Sequence, residues 1–312
     1  MIFIFLNQPL KNFQKCLLNT GLLLIASLLL GCEPESTPIY KPTFSDISVS
    51  ADTQYVFGVH PLHNPQLLFE VFSPLMEYLS KNIDGVNFKL EASRNYESYN
   101  EKLYTHKFDF SLPNPYQTIN AIDRGYNVFA KMGDDENFKG IILVRRDSDI
   151  KNITDLKGKS ISYPAPSALA ATMLPQYFLQ KNGVNVLTEL DNRYVGSQES
   201  SIMSVFLGQT SAAATWPPPW KALIKERPEL ADQLFIKWQT EPLLNNALVV
   251  LPSVPEELVQ KVRFLLINLH KTEEGKNVLA RMELSRFEGA DNDTYQSIRD
   301  FIKIFNKEVR TQ

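Results

Sequence analysis

Cysteine is scarce in this sequence, and its placement excludes several kinds of site. The 312-residue chain has two cysteines, Cys16 and Cys32, and none after them. The rest of the chain therefore has no disulfide, no thiolate metal site and no cysteine nucleophile. It also has no Gly-x-Ser-x-Gly, Walker, His-Glu-x-x-His or dinucleotide-binding motif. We predict a protein that is not an enzyme and that uses no metal and no cofactor.

Net positive charge is also lacking. The chain has 32 Lys and Arg residues against 35 Asp and Glu residues, so its formal net charge is −3. A protein that binds nucleic acid presents a basic face, so we predict that nucleic acid is not a partner. The hydrophobic share of 44% is large enough for a folded core and argues against disorder.

A long apolar run is missing, but a short one stands near the N-terminus. Two lysines precede the apolar residues 22–30, and Gly31 and Cys32 follow. A positive flank, a short apolar core and a small residue before the cleavage point are typical of a secretory signal peptide. The run is shorter than the ~20 residues that a membrane-spanning helix needs. We therefore predict that residues 1–31 are a signal peptide.

The end of this signal, Leu-Leu-Gly-Cys at residues 29–32, resembles the lipobox of bacterial lipoproteins. The resemblance implies that Cys32 is acylated and becomes the first residue of the mature chain; the alternative is a cysteine that merely ends the signal. The segment that follows is rich in Pro, Ser and Glu and cannot bury enough apolar surface to fold. We predict that residues 32–50 are a lipidated tether, which holds the protein at a membrane on the periplasmic or cell-surface side.

The remaining residues, about 260 of them, are enough for two lobes of ordinary domain size. Short apolar runs alternate with amphipathic stretches, which favours an α/β fold with mixed, mostly parallel sheets flanked by helices. Strands are predicted at 55–59, 87–92, 108–112, 127–131, 140–145, 160–163, 193–195, 211–215, 234–238 and 247–251. Helices are predicted at 66–82, 96–104, 115–124, 167–182, 198–207, 255–270, 272–281 and 292–306. Pro74 is expected to kink the first helix or to restart it.

Several short segments, in a fixed order, resemble the phosphonate-binding-protein family of ABC-transporter solute receptors. The resemblance runs from Tyr55 to about Tyr295. The segments that carry it are Phe57–Pro61, Phe72–Leu79, Tyr96, Phe108–Phe110 with Pro115–Tyr116, Val144–Ile150, Thr154–Lys159, Met173–Pro175 and Gly196–Glu199.

This resemblance implies a type II periplasmic-binding-protein fold whose two lobes close about a hinge. Lobe 1 is expected to comprise residues 51–140 and 245–312, and lobe 2 residues 141–244, with two hinge crossings. The implied function is a receptor that hands a small oxyanion of the phosphonate, phosphite or phosphate type, or a related polar solute, to the membrane permease of an ABC importer. The alternative is a sensory protein that reports ligand occupancy to a membrane kinase or chemoreceptor.

The resemblance also implies an oxyanion site at the start of the helix that follows strand 160–163. The first N–H groups of a helix are unpaired and its dipole favours a negative ligand. Ser167 is expected to give one hydroxyl there, either as the N-cap or to the ligand, and Ala168 a backbone donor. The family often has serines and a glycine at the positions of residues 168–171, and the serine hydroxyls bind the phosphonate there. These residues are Ala-Leu-Ala-Ala here, so fewer hydroxyl groups are expected to contact the ligand.

Two further departures concern the ligand. Gln198 stands where aminophosphonate binders have a histidine, and Ser211 where the family often has an aspartate that would meet an ammonium group. We therefore do not expect 2-aminoethylphosphonate as the ligand. Gln198 is still expected to face the cleft by family analogy.

The tyrosines and one asparagine are candidates by position. Tyr96 aligns with a family tyrosine that touches ligand, and packing on its own lobe is the alternative. Asn114 and Tyr116 follow the carboxyl end of a strand, where open α/β sheets bind ligands. For Asn114 a turn role is equally open.

Histidine and tryptophan complete the set. His60 is expected to border the cleft as a hydrogen-bond donor, with a surface position as the alternative. His60 and His63, three residues apart, could ligate a metal, but the two other histidines, His106 and His270, are not near in sequence. Trp216 and Trp220 flank three prolines, which we interpret as a rigid loop with Trp216 as an aromatic wall of the cleft and Trp220 in the core. The alternative is a loop that fills the core of lobe 2. The predicted ligand-binding residues are His60, Tyr96, Asn114, Tyr116, Ser167, Ala168, Gln198 and Trp216.

Overall fold

Two mixed β-sheets form the frame of the computed structural model, which describes residues 52–310. The predicted signal peptide, Cys32 and the tether lie outside these residues. None of the helices in the described range is long and apolar enough to cross a membrane. The strands are β1 Thr53–Val59, β2 Val86–Glu91, β3 Phe110–Leu112, β4 Asn127–Met132, β5 Ile141–Arg145, β6 Ser160–Tyr163, β7 Asp191–Tyr194, β8 Ala212–Thr215, β9 Leu234–Gln239, β10 Ala247–Val250 and β11 Phe287–Gly289.

The strand order divides the chain into two parts. One sheet has the order β11-β4-β10-β3-β1-β2 and the other β7-β6-β8-β5-β9. We call the first sheet with its helices lobe 1 and the second lobe 2; both belong to one compact unit. Parallel pairing is confined to β2-β1-β3 and β7-β6-β8, and antiparallel strands complete each sheet. The architecture of two mixed sheets flanked by helices is confirmed. The prediction that the sheets are mostly parallel is wrong, since five of the nine strand pairings among residues 52–310 are antiparallel. The reason is that each crossing segment leads into a strand, β5 or β10, that lies antiparallel between two neighbours. The residue boundaries given for the lobes stay a prediction.

Helices cover the faces of both sheets. They are α1 Pro65–Lys81, α2 Tyr96–Tyr104, α3 Pro115–Ile122, α4 Leu174–Lys181, α5 Gln198–Phe206, α6 Pro217–Glu226, α7 Glu229–Gln233, α8 Glu256–Asn268, α9 Glu273–Arg281 and α10 Gln296–Phe305. Short 3-10 turns stand at Asp135–Asn137, Ile153–Leu156, Leu269–Lys271 and Asp293–Tyr295, and π-helical turns at Leu169–Met173 and Asn306–Arg310. The sequence did not predict α7 or β11, because each is too short to show a period.

Helix α1 shows how local signals and burial act together. The Asn64 side chain accepts the N–H of Leu67, and Pro65 occupies the first turn, where no N–H is needed. Its buried face includes Leu68 and Phe72, and full burial of such a side chain contributes about 1.5–3 kcal/mol. The predicted restart at Pro74 is wrong, since one helix continues through it.

The Trp-Pro-Pro-Pro-Trp segment is a helix start rather than the predicted loop. Helix α6 begins at Pro217, with Trp216 as its N-cap residue. The three prolines occupy the first turn, where backbone N–H groups have no intrahelical partner, so their missing donors cost nothing. The first N–H that can bond is that of Trp220, which donates to the Trp216 carbonyl.

The two segments that cross between the sheets run side by side. The N–H of Gly140 donates to Thr240 Oγ1, and the N–H of Thr240 donates to the Gly140 carbonyl. A Cβ on Gly140 would lie 2.6 Å from Pro175 Cδ and 2.7 Å from the Ala170 carbonyl oxygen. Glycine therefore lets this crossing approach the helix start that borders the cleft.

Candidate ligand-binding cleft

The carboxyl ends of the parallel strands of both sheets border one cavity between the lobes. This is the edge at which α/β sheets bind ligands, because loops and helix starts collect there. Lobe 1 contributes residues that follow β1, β2 and β3, and lobe 2 residues that follow β6, β7 and β8. Six predicted site residues border this cavity: His60, Tyr96, Asn114, Ala168, Gln198 and Trp216.

The cavity is small and its walls carry no charged side chain. Its volume is about 10 Å³, close to what one water molecule needs. Phe138 and residues 169–171 complete the lining. A tetrahedral oxyanion is larger than a water molecule, so it can enter only if the lobes separate and then close around it.

A larger cavity, of about 860 Å³, lies on lobe 1 alone. It is bordered by the start of β4, the segment after β10 and the start of α8. Polar groups at its border already have partners: Asn292 Oδ1 accepts the N–H of Val128, and Asp291 Oδ1 accepts the N–H of Thr294, which lies outside the lining. Closure of the lobes cannot enclose a ligand there, so we assign the site to the smaller cavity.

The start of the helix that leads into α4 offers unpaired donors to the small cavity. The N–H groups of Thr172 and Met173 both donate to the Ala168 carbonyl, so the first turn is wide. Among the described residues, no acceptor is bonded to the N–H groups of residues 169–171. Such free N–H groups and the helix dipole favour a negative ligand.

Ser167 and Tyr116 do not border the small cavity. The N-cap of the π-helical turn is Ala168 and receives no side-chain bond, so the N-cap role considered for Ser167 is wrong. Ser167 borders a wider, open cavity of about 490 Å³ together with Tyr96, at the mouth of the cleft. Tyr116 is half-buried and packs against the lobe 1 core. A ligand contact by either residue stays a prediction.

Gln198 joins the two lobes inside the cleft. Its Nε2 donates to the Tyr96 hydroxyl at 3.1 Å, and its Oε1 accepts from Thr215 Oγ1 at 2.8 Å. Gln198 and Tyr96 are only 3% and 4% exposed. Because Gln198 occupies the lone pair of the Tyr96 oxygen, the Tyr96 O–H proton is free to donate. Burial raises the pKa of Tyr96, so the phenol stays neutral and keeps that proton.

Asn114 has both structural roles and a place in the lining. Its Oδ1 accepts the N–H of Gln117, which caps α3, and its Nδ2 donates to the Ser167 carbonyl across the cleft at 3.0 Å. The turn role is therefore present in the structure. A second bridge between the lobes was not predicted: Asn64 Nδ2 donates to Glu199 Oε1 at 2.7 Å.

His60 is buried and turned toward lobe 1. Its Nδ1 lies 2.9 Å from the Leu112 carbonyl oxygen, which can only accept, so Nδ1 carries the proton. Burial lowers the pKa of His60 to about 4, and the same cause lowers the pKa of His63 to about 4. The N–H expected to serve the cleft is thus used by the backbone. No group of three metal-ligating side chains occurs among residues 52–310.

Trp216 forms an aromatic wall with a residue that the sequence did not single out. Its ring meets that of Phe138 edge to face, with centroids 5.5 Å apart. Phe138 lies on the first crossing segment. The one feature of the sequence that could have indicated its burial is its position as a single aromatic residue in a polar stretch. Trp220 packs in a separate lobe 2 core with Ile202 and Leu223, as predicted. Ser211, in contrast, precedes β8 at the end away from the cavity, so its identity cannot select the ligand as expected.

A sequence profile described as the periplasmic substrate-binding protein of phosphonate ABC transporters matches residues 57–295. The chain belongs to this family. Its members are extracytoplasmic substrate-binding components of ABC transporters, so transport is the function of the chain. The matches give no support to the sensory alternative.

Individual relatives are distant. The probable ABC transporter phosphite binding protein of Prochlorococcus marinus is 23% identical over 270 residues, which cover 80% of this chain and 89% of the relative. The phosphonates-binding periplasmic protein of Escherichia coli is 22% identical over 245 residues, which cover 76% of this chain and 72% of the relative. A Pseudomonas aeruginosa phosphonate-transporter binding protein superposes with a TM-score of 0.76 at 21% identity, covering 82% and 88%. The structure of the Prochlorococcus protein in complex with methylphosphonate superposes with a TM-score of 0.74 at 22% sequence identity, and the match covers 81% of this chain and 98% of that chain. These superpositions show the shared fold.

Proposed function

We propose that the cleft binds a small tetrahedral oxyanion of the phosphonate, phosphite or phosphate type and that the protein delivers it unchanged to an ABC permease. The observation that carries this proposal is the row of unpaired N–H groups at residues 169–171, which borders a cavity that both lobes enclose. Hydrogen bonds from such groups replace the hydration of an anion without a cationic side chain.

The lining also suggests which oxyanions fit. Donors come from the helix start and from the Tyr96 hydroxyl, while Trp216 and Phe138 give an apolar wall for a hydrogen or a small alkyl group. No carboxylate borders this cavity in the described chain, so an ammonium group would find no acidic partner. The expectation against 2-aminoethylphosphonate therefore rests on the lining rather than on Ser211.

Thermal denaturation tests the oxyanion assignment. We expect phosphate, phosphite or methylphosphonate to raise the melting temperature, because a ligand that binds only the folded state stabilises it by about 2.7 kcal/mol at a hundredfold excess over Kd. Sodium chloride at equal ionic strength is the control. A flat response to all three anions would remove the oxyanion assignment and leave the family membership intact.

We further propose that Cys32 carries the lipid that holds the receptor at the membrane. In cells we expect Cys32→Ser to move the protein from the membrane fraction to the soluble periplasmic fraction, because each buried acyl CH₂ contributes about 0.8 kcal/mol to membrane binding. Fractionation and mass spectrometry of the mature N-terminus measure this. Cys16→Ser, within the predicted signal, should change neither result; an unmodified Cys32 in the wild type would contradict the anchor.

A further inference from the structure

We propose that His60 Nε2 accepts a hydrogen bond from a protonated ligand oxygen, so that the cleft selects oxyanions that keep a P–OH group over sulfonates and sulfate, which have none at neutral pH. The proposal rests on the oxyanion function proposed above and names the chemical class that the same site prefers. It assigns His60 the opposite role from the donor role that its position in the sequence suggests.

The orientation of the ring is fixed by lobe 1. A neutral imidazole has one N–H, and here it is on Nδ1, since its partner at 2.9 Å is the Leu112 carbonyl oxygen. The backbone N–H of His60 donates to the same carbonyl at 3.1 Å. With both bonds holding the residue against β3, Nε2 is the nitrogen that carries a lone pair.

Nε2 remains available to a ligand. This nitrogen forms no hydrogen bond with a described residue. Several polar atoms of the described chain are both unbonded and fully buried, and His60 Nε2 is not among them. Some of its surface is therefore accessible, and the small cavity is the space that this ring borders. The side chain as a whole is only 3% exposed, so bulk water does not compete freely for the lone pair.

The surroundings keep the ring neutral. Its titratable neighbours are His63 on the same loop and the rings of Tyr96 and Tyr99 on α2, whose centroids lie 6.3 Å from that of His60. Burial raises the pKa of both tyrosines, so neither supplies a negative charge. No carboxylate or ammonium group borders the cavity in the described chain. Burial lowers the pKa of His60 for the same reason.

Discrimination follows from the count of donors and acceptors. The free N–H groups at residues 169–171 and the Tyr96 O–H all donate, while His60 Nε2 is an acceptor at the same cavity. A phosphonate monoanion can accept the donors with its charged oxygens and give its P–OH proton to Nε2. A sulfonate of the same shape would place a lone pair against that of Nε2, and a site built for a hydroxyl rejects an analogue without one.

The proton balance sets the pH dependence. The complex holds one proton between Nε2 and the ligand oxygen, and a monoanion brings it. When the free ligand is a dianion, that proton must come from solvent, so affinity falls by up to about tenfold per pH unit above the second pKa of the ligand. A site made only of donors would show the opposite slope, because it would bind the dianion more tightly.

Titration calorimetry of the mature chain with methylphosphonate and methanesulfonate tests this from about pH 6 to about pH 9, above the pKa of His60. We expect methanesulfonate to bind roughly 10- to 100-fold more weakly at the low end, as for loss of one hydrogen bond to a charged group. We expect methylphosphonate to weaken as pH rises, with uptake of about one proton per ligand at the high end.

Two variants locate the effect. His60→Asn keeps an N–H donor near the Nδ1 position for the Leu112 carbonyl and removes the Nε2 lone pair, so the preference should fall to a few-fold and the pH slope should vanish. His106→Asn is the matched control: that histidine is exposed, bonds the Arg124 carbonyl, and has a left-handed backbone that asparagine adopts readily. It should change nothing.

The outcomes separate this proposal from the receptor function. Equal affinity of the wild type for the two anions, or an unchanged preference and slope in His60→Asn, would overturn the role of His60 while the oxyanion receptor stands. Failure of the wild type to bind either anion would overturn both. The wild-type comparison decides the question even if the variant does not fold.

Discussion

Replacing Trp216 by alanine is expected to weaken oxyanion binding at least tenfold and to lower the free energy of unfolding by about 3–5 kcal/mol. The side chain is 4% exposed, stacks edge to face on Phe138 and borders the cavity, so its loss opens the apolar wall to water. Water would then compete for the N–H groups at residues 169–171. Calorimetry gives the affinity, and urea denaturation gives the stability.

Trp220→Ala is the matched control for this result. Trp220 is 7% exposed, lies in the first turn of the helix that Trp216 caps, and packs in the separate lobe 2 core. Its removal should cost a similar free energy of unfolding, but the affinity of the folded protein should stay within a few-fold of the wild type. If Trp216→Ala leaves the affinity unchanged as well, Trp216 serves the core and not the ligand.

Gln198→Leu is expected to produce the second large effect, a loss of binding of at least tenfold with a loss of stability. The substitution leaves the buried hydroxyls of Tyr96 and Thr215 without their partner. Each unsatisfied buried hydroxyl costs about 1–3 kcal/mol. The hydrogen bond between Gln198 and Tyr96 forms only when the two lobes are closed, so its loss destabilises the closed arrangement relative to the open one. X-ray scattering in the presence of ligand should therefore show a larger radius of gyration than for the wild type.

Gln176→Leu separates closure from simple burial. Gln176 is also 3% exposed and bonds two side chains, but both partners, Asn192 and Tyr194, lie in lobe 2. We expect a loss of stability without a change in affinity or in the radius of gyration. Equal affinity losses in the two variants would show that Gln198 acts through the integrity of lobe 2.

Periodicity and end signals determined the regular elements well. Helix Tyr96–Tyr104 and strand Ser160–Tyr163 have the predicted bounds, because each stands between strong local signals. The Pro217 helix start was missed because prolines are read as loop formers, although the first turn of a helix tolerates them. The place of Ser211 at the amino end of β8 was missed although the predicted strand 211–215 already implied it, because the residue was judged by family alignment and not by its strand end.

Most of the residues that border the cavity were predicted from the family resemblance and from the rule that ligands bind at the carboxyl ends of strands. His60, Tyr96, Ala168, Gln198 and Trp216 were chosen from separate parts of the sequence, and the fold places all of them at one cavity. Phe138 was not chosen, since nothing in its local sequence shows that the crossing segment passes beside Trp216.

The sequence alone determined the kind of molecule: an α/β receptor with hydrogen-bond donors and aromatic rings at its strand ends, with no cysteine after residue 32 and none of the catalytic motifs named above. The tertiary structure decided which atoms those side chains keep free. Gln198 Nε2 donates to the hydroxyl oxygen of Tyr96, 102 residues away, and the Leu112 carbonyl, 52 residues from His60, accepts the one ring N–H of the neutral imidazole. Such pairings depend on contacts between distant segments, and no local pattern encodes them, so the donor and acceptor map of the cleft exists only in the folded chain.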